Sequence, residues 1–168
     1  MNNYAVVINN AGQVAGQSDP PGDATTYAVL WQNGAITNLG TLPGDVSSAT
    51  GDINAKGQVV GASCDANFNC RAFLWDHGVM IDLNRLVPSG SPLYLTYAEG
   101  INDRGEIAGT AVLKSNPNEQ PAFLAIPAPA AQIAGDSARK MILPENIRAS
   151  LQRRLRLQHV GDRPTAQQ

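Results

Sequence analysis

The chain has 168 residues, of which 43% are hydrophobic and 15% charged, with a formal net charge of −2; that suffices for one ordinary domain with a core and is neither a disordered nor a membrane composition. Residues 1–135 carry five Lys/Arg against eleven Asp/Glu, a balance of −6, and residues 136–168 carry seven against three, a balance of +4; the acidic larger part argues against nucleic-acid binding there. No apolar run approaches the roughly 20 residues of a spanning helix, and Met1–Ile8 shows no secretory pattern.

Strand-like residues begin almost at once, so the chain reads as a fragment or a late segment of a longer precursor. Ala5–Ile8 is short, apolar and rich in β-branched residues, Asn9-Asn-Ala-Gly12 is turn chemistry, and Gln13–Gln17 alternates; together they predict a β-hairpin. Nearly the same nine letters recur as Ile8–Gly16, Ile53–Gly61 and Ile101–Gly109, spaced by 45 and 48 residues. In each, the asparagine (Asn9, Asn54, Asn102) can bond its own backbone, and the following glycine (Gly12, Gly57, Gly105) can take positive φ. The closing glycine (Gly16, Gly61, Gly109) lies inside a strand and predicts a bulge or a close backbone approach.

A second phrase follows each first one: Ala28-Val-Leu-Trp31-Gln-Asn-Gly34, Ala72-Phe-Leu-Trp75-Asp-His-Gly78 and a decayed Ala122-Phe-Leu-Ala125. Asn33-Gly34 and His77-Gly78 predict two-residue turns, and so a second hairpin per unit. Four short antiparallel strands in about 45 residues is the period of a propeller blade. The expected fold is therefore all-β: about three tandem four-stranded blades, propeller-like but incomplete. Residues 1–127 form the repeat region, with units at about 4–44, 45–92 and 93–127. In the third unit, strands are expected near 97–101, 106–112 and 122–126, with Leu93–Leu95 packing back on the sheet. Residues 128–143 read as a Pro/Ala-rich linker. Residues 144–158 read as a basic amphipathic helix, with Ile147, Leu151 and Leu155 four apart, and 159–168 as a flexible tail. The helix could meet a membrane or a partner, or cap an open edge of the repeats.

The Ile-Asn-x-x-Gly-x-Val-x-Gly and Ala-Phe-Leu-Trp-x-x-Gly phrases, with Leu39-Gly-Thr-Leu-Pro-Gly44 after the second, resemble the HAF family of bacterial extracellular repeat proteins. The resemblance covers about residues 4–126 and is greatest to the carboxy-terminal end of such a protein. It implies a propeller-like β fold and secretion or display on the envelope, without an established activity. The histidine that opens the family's second phrase is replaced by Tyr27, Arg71 and Pro121, so no role for it carries over.

The chemistry-bearing residues are few. Cys64 and Cys70 fall between two predicted strands of one unit; a disulfide closing that loop suits an oxidising compartment, the alternative being two free thiols. Leu30, Trp31, Phe73, Leu74, Trp75, Phe123 and Leu124 should pack between sheets. Repeated Trp31 and Trp75 could instead be sugar-stacking platforms if exposed. His77 and His159 have no obvious nucleophile beside them, and neither a metal nor a cofactor is implied. Asp52 and Glu99 precede their Ile-Asn phrases and could meet in a central channel, where paired carboxylates suit glycoside hydrolysis or calcium binding; otherwise they are solvated at blade ends.

Two functions from different classes follow. One is a non-catalytic extracellular binding or scaffold module that engages protein or glycan through the loops at Asp19–Asp23, Cys64–Cys70 and Lys114–Gln120. The other is a carbohydrate-active enzyme using Asp52 and Glu99. Three blades do not close a ring, so the chain is either an arc capped by its helix or half of a homodimeric six-bladed ring, unless further repeats of a longer chain cover it.

Overall fold

A computed structural model describes residues 2–19, 25–127 and 141–155. The architecture is three tandem antiparallel sheets and a helix. The first blade is β1 (Asn2–Ile8), β2 (Val14–Asp19), β3 (Tyr27–Gln32) and β4 (Ala35–Gly40), paired in chain order. The second blade is β5 (Ser47–Ile53), β6 (Val59–Cys64), β7 (Cys70–Asp76) and β8 (Val79–Asp82), followed by a single 3-10 turn at Leu83–Arg85. The third has three strands among the described residues, β9 (Leu93–Ile101), β10 (Ile107–Leu113) and β11 (Ala122–Ala125), and the chain ends its described part in α1 (Glu145–Leu155).

The first hairpin of each unit forms for the same local reason. Asn9 Oδ1 accepts from Ala11 N and Gln13 N, Asn54 Oδ1 from Lys56 N and Gln58 N, and Asn102 Oδ1 from Arg104 N and Glu106 N, all at 2.9–3.1 Å. One carboxamide oxygen thus satisfies two turn amides that the sheet ladder leaves out. The chain then reverses through Gly12, Gly57 and Gly105 at φ 75°, 77° and 82°, a region that costs a side chain about 1 kcal/mol or more.

The closing glycine answers a packing demand. A Cβ on Gly61 would lie 2.0 Å from Ala49 O and 2.9 Å from the Phe73 ring. On Gly16 it would meet Tyr4 O and the Trp31 ring, and on Gly109 Tyr97 O and the Phe123 ring. An aromatic of the third strand therefore lies flat over the second strand at a spot where no side chain fits.

The sheets stack face to face. Between blades one and two, Ala15, Ala28, Leu30, Leu39 and Leu42 pack with Ile53, Val59, Phe73 and Trp75. Between blades two and three, Val60, Ala72 and Leu83 pack with Leu95, Ala98, Ile101, Ile107 and Phe123. Ala15, Ala28 and Ala72 leave room on one sheet for the larger side chains of the next, such as Trp75 and Phe123, so the sheets approach closely.

Three expectations change. Leu93–Leu95 does not fold back on the sheet but begins β9, pairing with Ala111–Leu113 across two register shifts. Leu124 is not core; it is 65% exposed, because the residues at its position in the other units, Leu30 and Leu74, are covered by a following blade. Trp31 is half-buried where Trp75 is buried, since Trp75 faces blade one and Trp31 lies on the outer side of that blade. The helix spans Glu145–Leu155; residues 156–158 of the expected helix, most of the 128–143 linker and the 159–168 tail lie outside the described residues.

Candidate functional site

Cys64 and Cys70 are bridged, with S–S 2.09 Å. They join the ends of β6 and β7, whose residues 64 and 70 are register partners. The five-residue hairpin loop is further fixed by Asp65, whose Oδ1 accepts from Asn67 N and Asn69 N at 2.9 Å. This loop carries α1. Asn69 Oδ1 accepts from Leu143 N at 2.7 Å and Asn67 O from Arg148 Nη1 at 2.9 Å. Leu143, Ile147, Leu151 and Leu155 bury themselves against Ala49, Ala62, Cys64, Cys70, Tyr94 and Val112. Each such side chain contributes about 1.5–3 kcal/mol of gross burial. Glu145 in the first turn and Arg153 and Arg154 in the last suit the helix dipole.

The middle one of the three expected ligand loops is thus occupied by the chain's own helix. Burial pushes the Tyr94 phenol up to about 12; its oxygen accepts from Met141 N and so ties down the segment leading into α1. Of the first loop, residues 20–23 lie outside the described residues. The third, 114–120, is a polar surface loop closed by the Glu119 N to Asn116 O bond at 3.0 Å.

Asp52 and Glu99 belong to separate networks. Asp52 Oδ1 accepts from Ile53 N at 2.8 Å, and Oδ2 from Ile101 N at 3.0 Å, so this carboxylate stitches blade two to blade three. Glu99 Oε1 accepts from Thr110 Oγ1 at 2.7 Å and faces Arg154 Nη1 at 3.2 Å, which ties blade three to α1.

The most deeply held charges were not legible as a site. Arg71, where the second phrase of the resembled family has histidine, donates to Asp45 Oδ2 at 2.8 Å, Asp82 Oδ2 at 3.0 Å and Pro43 O at 2.9 Å. All three charged side chains are nearly buried. Burial works against the guanidinium charge, but the hydrogen bond and charge of Asp45, followed by the charge of Asp82, outweigh it and raise its pKa. The group locks the linker between β4 and β5 onto β7 and the end of β8. No recurring pattern announces it, since Arg71 occurs once.

At the opposite end of the blades from the disulfide loop lie the three Asn-x-x-Gly turns, joined side by side. Asn9 Nδ2 donates to Asn54 O at 2.9 Å, and Asn54 Nδ2 to Asn102 O at 3.2 Å. Ala55 N also donates to Asp103 Oδ1 at 2.8 Å. The residues that vary between units, Asn10-Ala11, Ala55-Lys56 and Asp103-Arg104, therefore form an exposed row on an invariant frame. His77, beside the row at the tip of β7–β8, bonds Asp76, which also accepts from Gln58 Nε2 at 3.0 Å. The Gln58 bond and then the His77 contact hold the Asp76 carboxyl below its usual range. Arg104 and then Asn102 do the same for Glu106.

Comparison with protein-family models, curated proteins and solved structures returns no match. Among the described residues no helix is long and apolar enough to cross a membrane, and no three His/Cys/Asp/Glu side chains group as metal ligands.

Proposed function

We propose that the chain is a non-catalytic binding or scaffold module of the HAF type, working outside the cell or at its envelope. The observation that carries this reading is the division of labour within the nine-residue phrase. Its recurring letters are consumed by turn and inter-blade bonds, while the changing ones stand in an exposed row. Asp52 and Glu99, the carboxylates best placed for hydrolysis, are both engaged in holding elements together. The buried disulfide suits an oxidising compartment.

The ligand is a protein or glycan surface met through polar turn tips, with Lys56, Arg104 and His77 the leading contacts. Buried Trp75 and half-buried Trp31 leave little room for sugar stacking. The test is a glycan array and a panel of envelope proteins probed with the intact chain and with a Lys56→Ala/His77→Ala/Arg104→Ala variant. Binding that the triple variant loses, at unchanged thermal unfolding, supports the proposal. Turnover of a glycan that disappears in Asp52→Asn or Glu99→Gln overturns it in favour of an enzyme.

A further inference from the structure

The two outer faces of the array are unlike, and each matches a face that is covered inside it. Inside, Ile53, Val59 and Trp75 lean on blade one, while Ile101, Ile107 and Phe123 lean on blade two. Ile8 holds the position of Ile53 and Ile101 in blade one and is 65% exposed, on the same outer face as exposed Ile36 and half-buried Val14 and Trp31. At the other end, Ala108, Ala122 and Leu124 hold the positions of Ala15, Ala28 and Leu30, which blade two covers. They are likewise exposed. Helix α1 buries Val112 and bonds Thr110 on that face, and leaves the Ala108–Leu124 end free.

The end turns also keep complementary hydrogen-bonding capacity: Asn9 O accepts from Gly12 N at 3.0 Å, as Asn54 O does from Gly57 N and Asn102 O from Gly105 N, and has a second lone pair. Asn54 O and Asn102 O each accept from the asparagine one blade earlier, whereas Asn9 O has no earlier blade among the described residues. Asn102 Nδ2, bonded to Glu106, keeps a second hydrogen and has no following carbonyl among the described residues. Asn10 offers a side-chain oxygen at the place where Asp103 accepts from Ala55 N.

We propose that the Ala108–Ala122–Leu124 face of one copy of this chain packs on the Ile8–Trp31–Ile36 face of a second copy, and that two such contacts close a six-bladed ring. Within the chain, what covers faces of this pattern is a blade of the same pattern, and a second copy supplies both the apolar partner and the matching amide and carbonyl. The contact is head-to-tail, so closure requires the rotation per blade to complete a turn at six, within the four to eight of closed propellers.

The intact chain is measured by light scattering across a concentration series. The expected mass is twice the 17.7 kDa of one chain. Ile8→Glu and Leu124→Lys alter exposed side chains, so each should keep the thermal unfolding of the parent while weakening association by on the order of a hundredfold, equivalent to about 2.8 kcal/mol. An equimolar mixture of the two restores the dimer, because one contact regains Ile8 against Leu124 and the other pairs glutamate with lysine. A monomer throughout the series overturns the assembly. So does a dimer that survives Ile8→Glu, or a mixture that fails to associate. A mass climbing past the dimer overturns ring closure. A monomeric chain leaves the proposed binding role standing.

Discussion

Replacing Asn54 with alanine tests whether the turns act separately or as one connected frame. The Asn54 side chain makes four bonds: it accepts from Lys56 N and Gln58 N, and donates to Gln58 Oε1 and Asn102 O. It is 3% exposed, so water does not replace what is lost. At about 1 kcal/mol net per hydrogen bond, Asn54→Ala should cost roughly 3–4 kcal/mol. Asn102 makes the same bonds within its own turn, but it is exposed and no later blade follows it in the described residues. Water can then solvate the freed amides, and Asn102→Ala should cost about 1 kcal/mol. Urea unfolding of both variants and the parent gives the two differences. Equal losses within about 0.5 kcal/mol would refute the connected frame, leaving only turn chemistry to explain the asparagine.

Gly61→Ala places a Cβ 2.0 Å from Ala49 O; only separation of β5 from β6 relieves that, so a loss above about 4 kcal/mol or no soluble protein is expected. Gly90→Ala, with nothing within 4 Å of the added Cβ, is the control and should lie within about 0.5 kcal/mol of the parent in the same urea series. Removing the bridge as Cys64→Ala/Cys70→Ala opens a loop of sequence separation 6; chain entropy gives about 2 kcal/mol of destabilisation. Amide exchange across α1 should rise in that variant, and an unchanged α1 would show that the disulfide does not hold the helix dock. Tyr94 is pushed up to about 12 by burial, so folding favours the protonated phenol. Its stabilisation is whole below the ordinary tyrosine value near 10 and is lost as pH rises through about 12, amounting to roughly 2–3 kcal/mol. Stability against pH should fall across that window in the parent and less steeply in Tyr94→Phe.

The turns and strands were legible because their causes are local and written three times: Asn accepts from its own turn, glycine takes the left-handed bend, and alternation sets the faces. What escaped depends on neighbours distant in the chain. Leu124 reads like Leu30 and Leu74, and only the lack of a covering sheet makes it a surface residue. The start of β9 escaped because two register shifts let Leu93–Leu95 pair where a loop was expected. Glu99 finds Arg154 some 55 positions away, and no period in the letters links them. Arg71 was noticed only as a departure from a motif, although its carboxylate partners lie 26 and 11 residues from it.

The asparagine bonds all point one way, each unit giving to the one after it. A row built like that has a direction, much as a zip has. A duplicate of the middle unit spliced between its neighbours would find a giver before it and a receiver after it, with the fitting apolar faces already in place. Lengthening such a protein needs no new interface to be invented, only another copy of what the gene already holds.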